Sequence, residues 1–64
     1  MKTKLTIKKN NGEELEIIVN GSISIKRDEL DSIDYYYFSD DLGNFCYWVK
    51  LKELNSMNIE IMGE

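Results

Sequence analysis

The sequence predicts an all-β domain, and three observations carry that prediction. The apolar residues Leu5, Ile7, Leu15, Ile17, Val19, Ile23, Ile25, Ile33, Tyr35, Tyr37, Phe45, Tyr47, Val49, Leu51, Met57, Ile59 and Ile61 all carry odd numbers. That is the period-two pattern of strands with one buried face, held in phase by the connections between them. β-branched and aromatic residues gather in short runs separated by segments bearing Asn, Asp and Gly. The pattern leaves no room for a long helix to cover the odd face, so that face is expected to close on itself. The expected architecture is one small domain over residues 1–64, a curled antiparallel sheet or small barrel of five to six strands with two one-turn helical connectors.

Residues 3–9 alternate, with Leu5 and Ile7 on one side and Lys4, Thr6 and Lys8 on the other, which reads as a strand with one wet face. Asn10-Asn11-Gly12 follows, and a three-residue hairpin loop calls for positive φ at its last position, where Gly12 stands. Closing the loop between Lys9 and Glu13 sets Ile7 opposite Leu15, Leu5 opposite Ile17, Lys8 opposite Glu14 and Lys4 opposite Ile18. The hydrophobic pattern and the charges agree on that register. Residues 15–19 form the second strand and 22–26 the third. A two-residue Asn20-Gly21 turn between them would put Ile23 and Ile25 on the wrong face, so a three-residue loop or a bulge is expected. Residues 27–32, RDELDS, read as a single helical turn with Leu30 plugging one end of the core.

The centre of the chain is residues 33–51, which hold every aromatic residue. They read as a hairpin closing through 40–44, or one residue to either side. An odd number of loop residues would keep Tyr35 and Tyr37 on the face of Tyr47 and Val49. After Leu51, KELNS reads as a second one-turn connector with Leu54 as its plug, and residues 57–62 as the last strand with Ile59 and Ile61 inward. A weak internal repeat supports the two connectors. IKRDELDSIDYYY from Ile25 aligns with VKLKELNSMNIEI from Val49, matching Lys26 to Lys50, Glu29 to Glu53, Leu30 to Leu54 and Ser32 to Ser56. A one-turn connector ahead of the last strand resembles the arrangement in SH3-like barrels. That resemblance covers about the last forty residues, rests on architecture rather than on a family motif, and implies nothing about function.

Composition narrows the function. The chain has no histidine and a single cysteine, Cys46, so it can form no internal disulfide, no zinc cluster and no redox dithiol. Without a long core or a covalent staple, self-association gains weight. No continuous apolar run marks a signal peptide or a membrane span, and the thiol is free, so the expected location is the cytoplasm. The net charge of −4 argues against nonspecific nucleic-acid binding. No nucleophile–base set, phosphate-binding glycine loop or metal motif occurs, so neither enzymatic activity, a small-molecule substrate nor a cofactor is expected. Asp40-Asp41 reads as a solvated turn and Cys46, outward by parity, as an inert thiol.

The remaining feature is the even face of the central hairpin. Tyr36, Phe38, Cys46 and Trp48 are expected there together, with Ile18 and Met62 extending the patch. Grouped outward aromatics mark an interaction site; the alternative is a covered second core. The expected function is a non-catalytic module that binds a protein partner or a second copy of itself through Tyr36, Phe38, Trp48, Ile18 and Met62. Small inhibitors and accessory proteins of phage and mobile elements share its size and composition. The competing reading is a small barrel that stacks single-stranded nucleic acid on the same aromatics, with Lys4, Lys8, Lys26 and Lys50 as a basic strip.

Overall fold

A computed structural model describes residues 1–63, apart from the side chain of Phe45; the inward placement expected for that ring lies outside the described residues. Six strands form: β1 (Lys2–Lys9), β2 (Glu14–Asn20), β3 (Ile23–Leu30), β4 (Ile33–Asp40), β5 (Phe45–Lys50) and β6 (Leu54–Met62). They make two three-stranded antiparallel sheets, A in the order β2-β1-β6 and B in the order β3-β4-β5. The sheets pack through Leu5 and Ile7 of β1 against Phe38 of β4 and Val49 of β5. Thr3 completes the buried set among the described residues.

The first hairpin has the expected register: Ile7 faces Leu15, Leu5 faces Ile17, Lys8 faces Glu14 and Lys4 faces Ile18. Lys9 N–H donates to Glu13 C=O at 2.8 Å and Gly12 N–H to Lys9 C=O at 3.0 Å, with Gly12 at φ +94°. Lys4 lies between Glu16 (3.9 Å) and Glu60 (3.6 Å), and Lys8 lies 3.9 Å from Glu14. These exposed pairs select the register more than they stabilise the fold.

β2 and β3 are not paired; they belong to different sheets, so the link between them is a corner rather than a hairpin loop. The connection is Gly21-Ser22. Gly21 N–H donates to Met1 C=O at 2.9 Å, Gly21 C=O accepts from Thr3 Oγ1, and Ser22 N–H donates to Asp41 Oδ2 at 3.1 Å. At the opposite corner Asn10 N–H reaches Glu53 C=O (2.9 Å) and Asn10 Nδ2 reaches Lys52 C=O (2.8 Å). This ties the first hairpin loop to the 3₁₀ turn Leu51–Glu53. Cross-links from loop to loop thus hold the sheets where the core is thin.

RDELDS is not helical. β3 runs through Leu30 and returns at Ile33 by a two-residue turn, Asp31-Ser32, with φ of +53° and +64°. Positive φ at both central residues gives the twist that tight hairpins need, and Asp tolerates that region better than most side chains. Leu30 is therefore no plug: it faces Ile33 on the outside and is 64% exposed. The repeat consequently does not produce one unit twice. Its first copy is a hairpin within sheet B, and its second is a 3₁₀ turn that carries the chain to sheet A, where Leu54 packs against the core as expected. Because Ser32 holds positive φ without being glycine, Ser32→Gly is expected to stabilise the protein by about 0.5–1 kcal/mol. Urea unfolding with an unchanged m-value checks it.

Candidate functional site

The two-residue turn reverses the phase of β4. Leu30 is outward, so its partner Ile33 is outward, and with it Tyr35 and Tyr37; Tyr36 and Phe38 turn inward. Phe38 is 0% exposed and Tyr36 is half-buried against the core. The choice suits the chemistry, since a phenyl ring is buried with no hydroxyl left to satisfy, while the outward tyrosines keep theirs near water. The next loop closes on the pair Asp40 and Asn44 with three residues between them, as the expected odd count requires: Asp40 N–H donates to Asn44 C=O (3.1 Å) and Gly43 N–H to Asp40 C=O (3.0 Å). The register then slips between Phe38 and Ser39, which face Tyr47 and Phe45, leaving Cys46 as the extra residue of a bulge. That slip restores Tyr47 and Val49 to the inner face and sends Trp48 outward beside Tyr37.

The aromatic patch therefore exists with a different membership. Of the expected residues, Trp48 stands in it, 49% exposed. Phe38 and Tyr36 belong to the core side. Ile18 is exposed but shares the outer face of sheet A with Lys4, and Met62, opposite Lys2, is half-buried on that same face. Both lie on the far side of the sandwich from Trp48. In place of these residues stand Tyr35 and Tyr37. Their rings stack at 6.0 Å with 29° between planes, and Trp48 meets Tyr35 edge-on at 5.9 Å and 70°. Leu30 and Ile33 wall one end, and Asp31 and Lys50 complete the lining of an open groove of about 450 Å³. The wall belongs to the outer part of the β3–β4 hairpin, which is exposed on both faces from Lys26 to Asp34.

The charges around the groove are mixed. Lys26 faces Tyr37 across the strands, Asp28 and Lys50 flank Tyr35, and Asp31 closes the end. The four lysines expected as a strip are divided, Lys4 and Lys8 lying on sheet A against glutamates and Lys26 and Lys50 on sheet B. At the tip of β4–β5, Asp40 accepts from the Leu42 (3.0 Å) and Asn44 (2.9 Å) amides and from Asn44 Nδ2 (3.2 Å). Those bonds, the Asn44 amide first, hold its carboxyl below the usual range. Both carboxylates are engaged in turn structure, Asp41 with Ser22. Burial, with the Asp40 charge beside it, pushes the Cys46 thiol up, the direction that favours the protonated form.

Among the described residues no group of three or more His, Cys, Asp or Glu side chains could hold a metal, and no helix is long and apolar enough to cross a membrane. No protein-family model, curated protein or solved structure matches the chain. One signal in the sequence favours Tyr35 and Tyr37 as the outward pair: Phe38 is the one member of YYYF without a hydroxyl.

Proposed function

We propose that this chain is a non-catalytic protein-interaction module, a small cytoplasmic adaptor or inhibitor of the kind phage and mobile elements encode. It takes an apolar segment of a protein partner into the groove floored by Tyr35, Tyr37 and Trp48. One observation carries the reading: three large aromatic side chains share an open sheet face with apolar walls, and no element among the described residues covers them. Tyr and Trp dominate interface hot spots because they offer large, rigid contact area. The mixed charge around the groove suits a peptide, whereas a nucleic-acid strand would meet Asp28 and Asp31 as well as the lysines. The path of the chain supports a curled, SH3-like barrel as the scaffold. Each strand follows its sequence neighbour around the molecule, and β6, entered through a 3₁₀ turn, returns to β1.

Panning a random peptide library on the immobilised protein, with binding measured by calorimetry, tests the proposal. Enriched peptides are expected to bind Trp48→Ala and Tyr37→Ser about thirtyfold more weakly, a loss of ~2 kcal/mol. Peptides that bind the variants equally, or no enrichment at all, would overturn it. If oligo(dT) instead quenches the emission of Trp48 with affinity falling steeply in salt, the groove binds nucleic acid.

A further inference from the structure

Four strands lie at the edges of the two sheets, and three of them are guarded against pairing. β3 carries Lys26, Arg27, Asp28 and Glu29 in succession, β2 carries Glu14 and Glu16, and β5 is six residues long and broken by its bulge. Charges, shortness and bulges are the devices by which proteins blunt edges. β6 has the least of them. It is nine residues long without proline and carries one charge, Glu60, where β2 carries two in seven residues. The single irregularity of its ladder with β1 falls at its start, between Lys8 and Lys9. Its inner face is also open. Met57, Ile59 and Ile61 are 37%, 40% and 71% exposed, although their partners Ile7, Leu5 and Thr3 are buried. A monomer would leave both the backbone edge and the apolar side of this strand in water.

We propose that β6 pairs antiparallel with β6 of a second copy of this chain, about a two-fold axis at Ile59, so that two A sheets become one sheet of six strands. Self-complementarity singles out this occupant. With the axis at Ile59, that residue faces its own copy and Met57 faces Ile61, so the apolar strip is continuous. On the outer face Glu60 falls opposite Asn58, and no like charges meet. Moving the axis to Glu60 would oppose two carboxylates, and moving it to Asn58 would set Ile61 against Asn55. Area allows the same occupant: a standard interface takes about 800 Å² from each partner, less than a fifth of the 4503 Å² this chain exposes. The buried core of four apolar side chains among the described residues, with no disulfide to assist it, is of the size that subunit association commonly supplements. The dimer carries two copies of the Tyr35–Trp48 groove.

Size exclusion with light scattering across a dilution series of the untagged protein tests the pairing. The expected mass is twice the 7.5 kDa of one chain, and Ile59→Lys, which places two ammonium groups face to face at the axis, is expected to give the single-chain mass. Asn58 is exposed on the outer face, so its variants carry the test even if Ile59→Lys disturbs folding. Asn58→Glu, opposing two pairs of carboxylates, raises the dimer dissociation constant about tenfold, and Asn58→Lys lowers it. A single-chain mass at every concentration overturns the proposal. So does a dimer indifferent to Asn58→Glu, or one that Trp48→Ala separates instead.

Discussion

Replacing Phe38 by alanine is expected to destabilise the protein by about 3–5 kcal/mol, the range for truncating a fully buried aromatic side chain. A domain of this length has roughly 3–10 kcal/mol in total, so Phe38→Ala is expected to be largely unfolded at room temperature. Phe38 is one of only four buried apolar side chains among the described residues, and it joins β4 to Leu5 and Ile7 across the sandwich. Ile25, its partner on β3, is itself partly exposed and offers little to fill the space. Phe38→Leu keeps most of the volume and is expected to cost less than about 1.5 kcal/mol. Trp48→Ala, on the neighbouring strand but on the opposite, outer face, is expected to cost under about 1 kcal/mol. Urea unfolding followed by circular dichroism gives all three values. If Trp48→Ala proved the costly change and Phe38→Ala the mild one, β4 would have its other face inward and the Tyr35–Tyr37 groove would not exist.

The limits of the sequence as a guide lie in the same strand. The β1–β2 hairpin is legible from it: alternation, the Gly12 loop and the Lys8–Glu14 pairing all select one register, whereas the pairing of β1 with β6 is not. Sheet B depends on counting residues through two connections, and each departs from the count. Asp31-Ser32 turns the chain in two residues where RDELDS reads as a helical turn, which inverts the phase. The bulge at Cys46 inverts it again. Because the two inversions cancel, Tyr47 and Val49 face inward as expected, and the difference is confined to β4. That one strand decides the site. An aromatic patch on the outer face of the central hairpin was legible, as was the outward position of Trp48; the exchange of Tyr36 and Phe38 for Tyr35 and Tyr37 was not. Two positive-φ residues that are not glycine carry no reliable mark in a single sequence, and a bulge carries less. Local preference fails here because what matters is the match between Phe38 and a core built by β1, thirty residues earlier.

Gly21→Ala is expected to cost more than either Gly12→Ala or Gly43→Ala, and the comparison isolates what holds the corner of the sandwich. All three glycines have similar positive φ, +94° at Gly12, +86° at Gly21 and +84° at Gly43. The backbone penalty for a side chain, about 1–2 kcal/mol, is therefore common to them. A Cβ at Gly12 or Gly43 meets nothing within 4 Å, whereas one at Gly21 would overlap the carboxylate of Asp41. That carboxylate accepts from both the amide and the hydroxyl of Ser22, and those bonds hold it below the usual carboxylate range. To make room it must rotate away and release Ser22, so the tie between the β2–β3 corner and the β4–β5 loop is lost with the same change. The Asp41 carboxyl should then move up toward the ordinary carboxylate range, a shift that NMR can follow. The folded carboxyl is the stronger acid, so the contribution of this tie is present above the unfolded value and lost as pH falls through the folded one. Gly21→Ala should accordingly differ most from the wild type near neutral pH and least in acid. Equal costs at all three glycines would mean that Asp41 swings aside freely and that its tie to Ser22 contributes nothing to the corner.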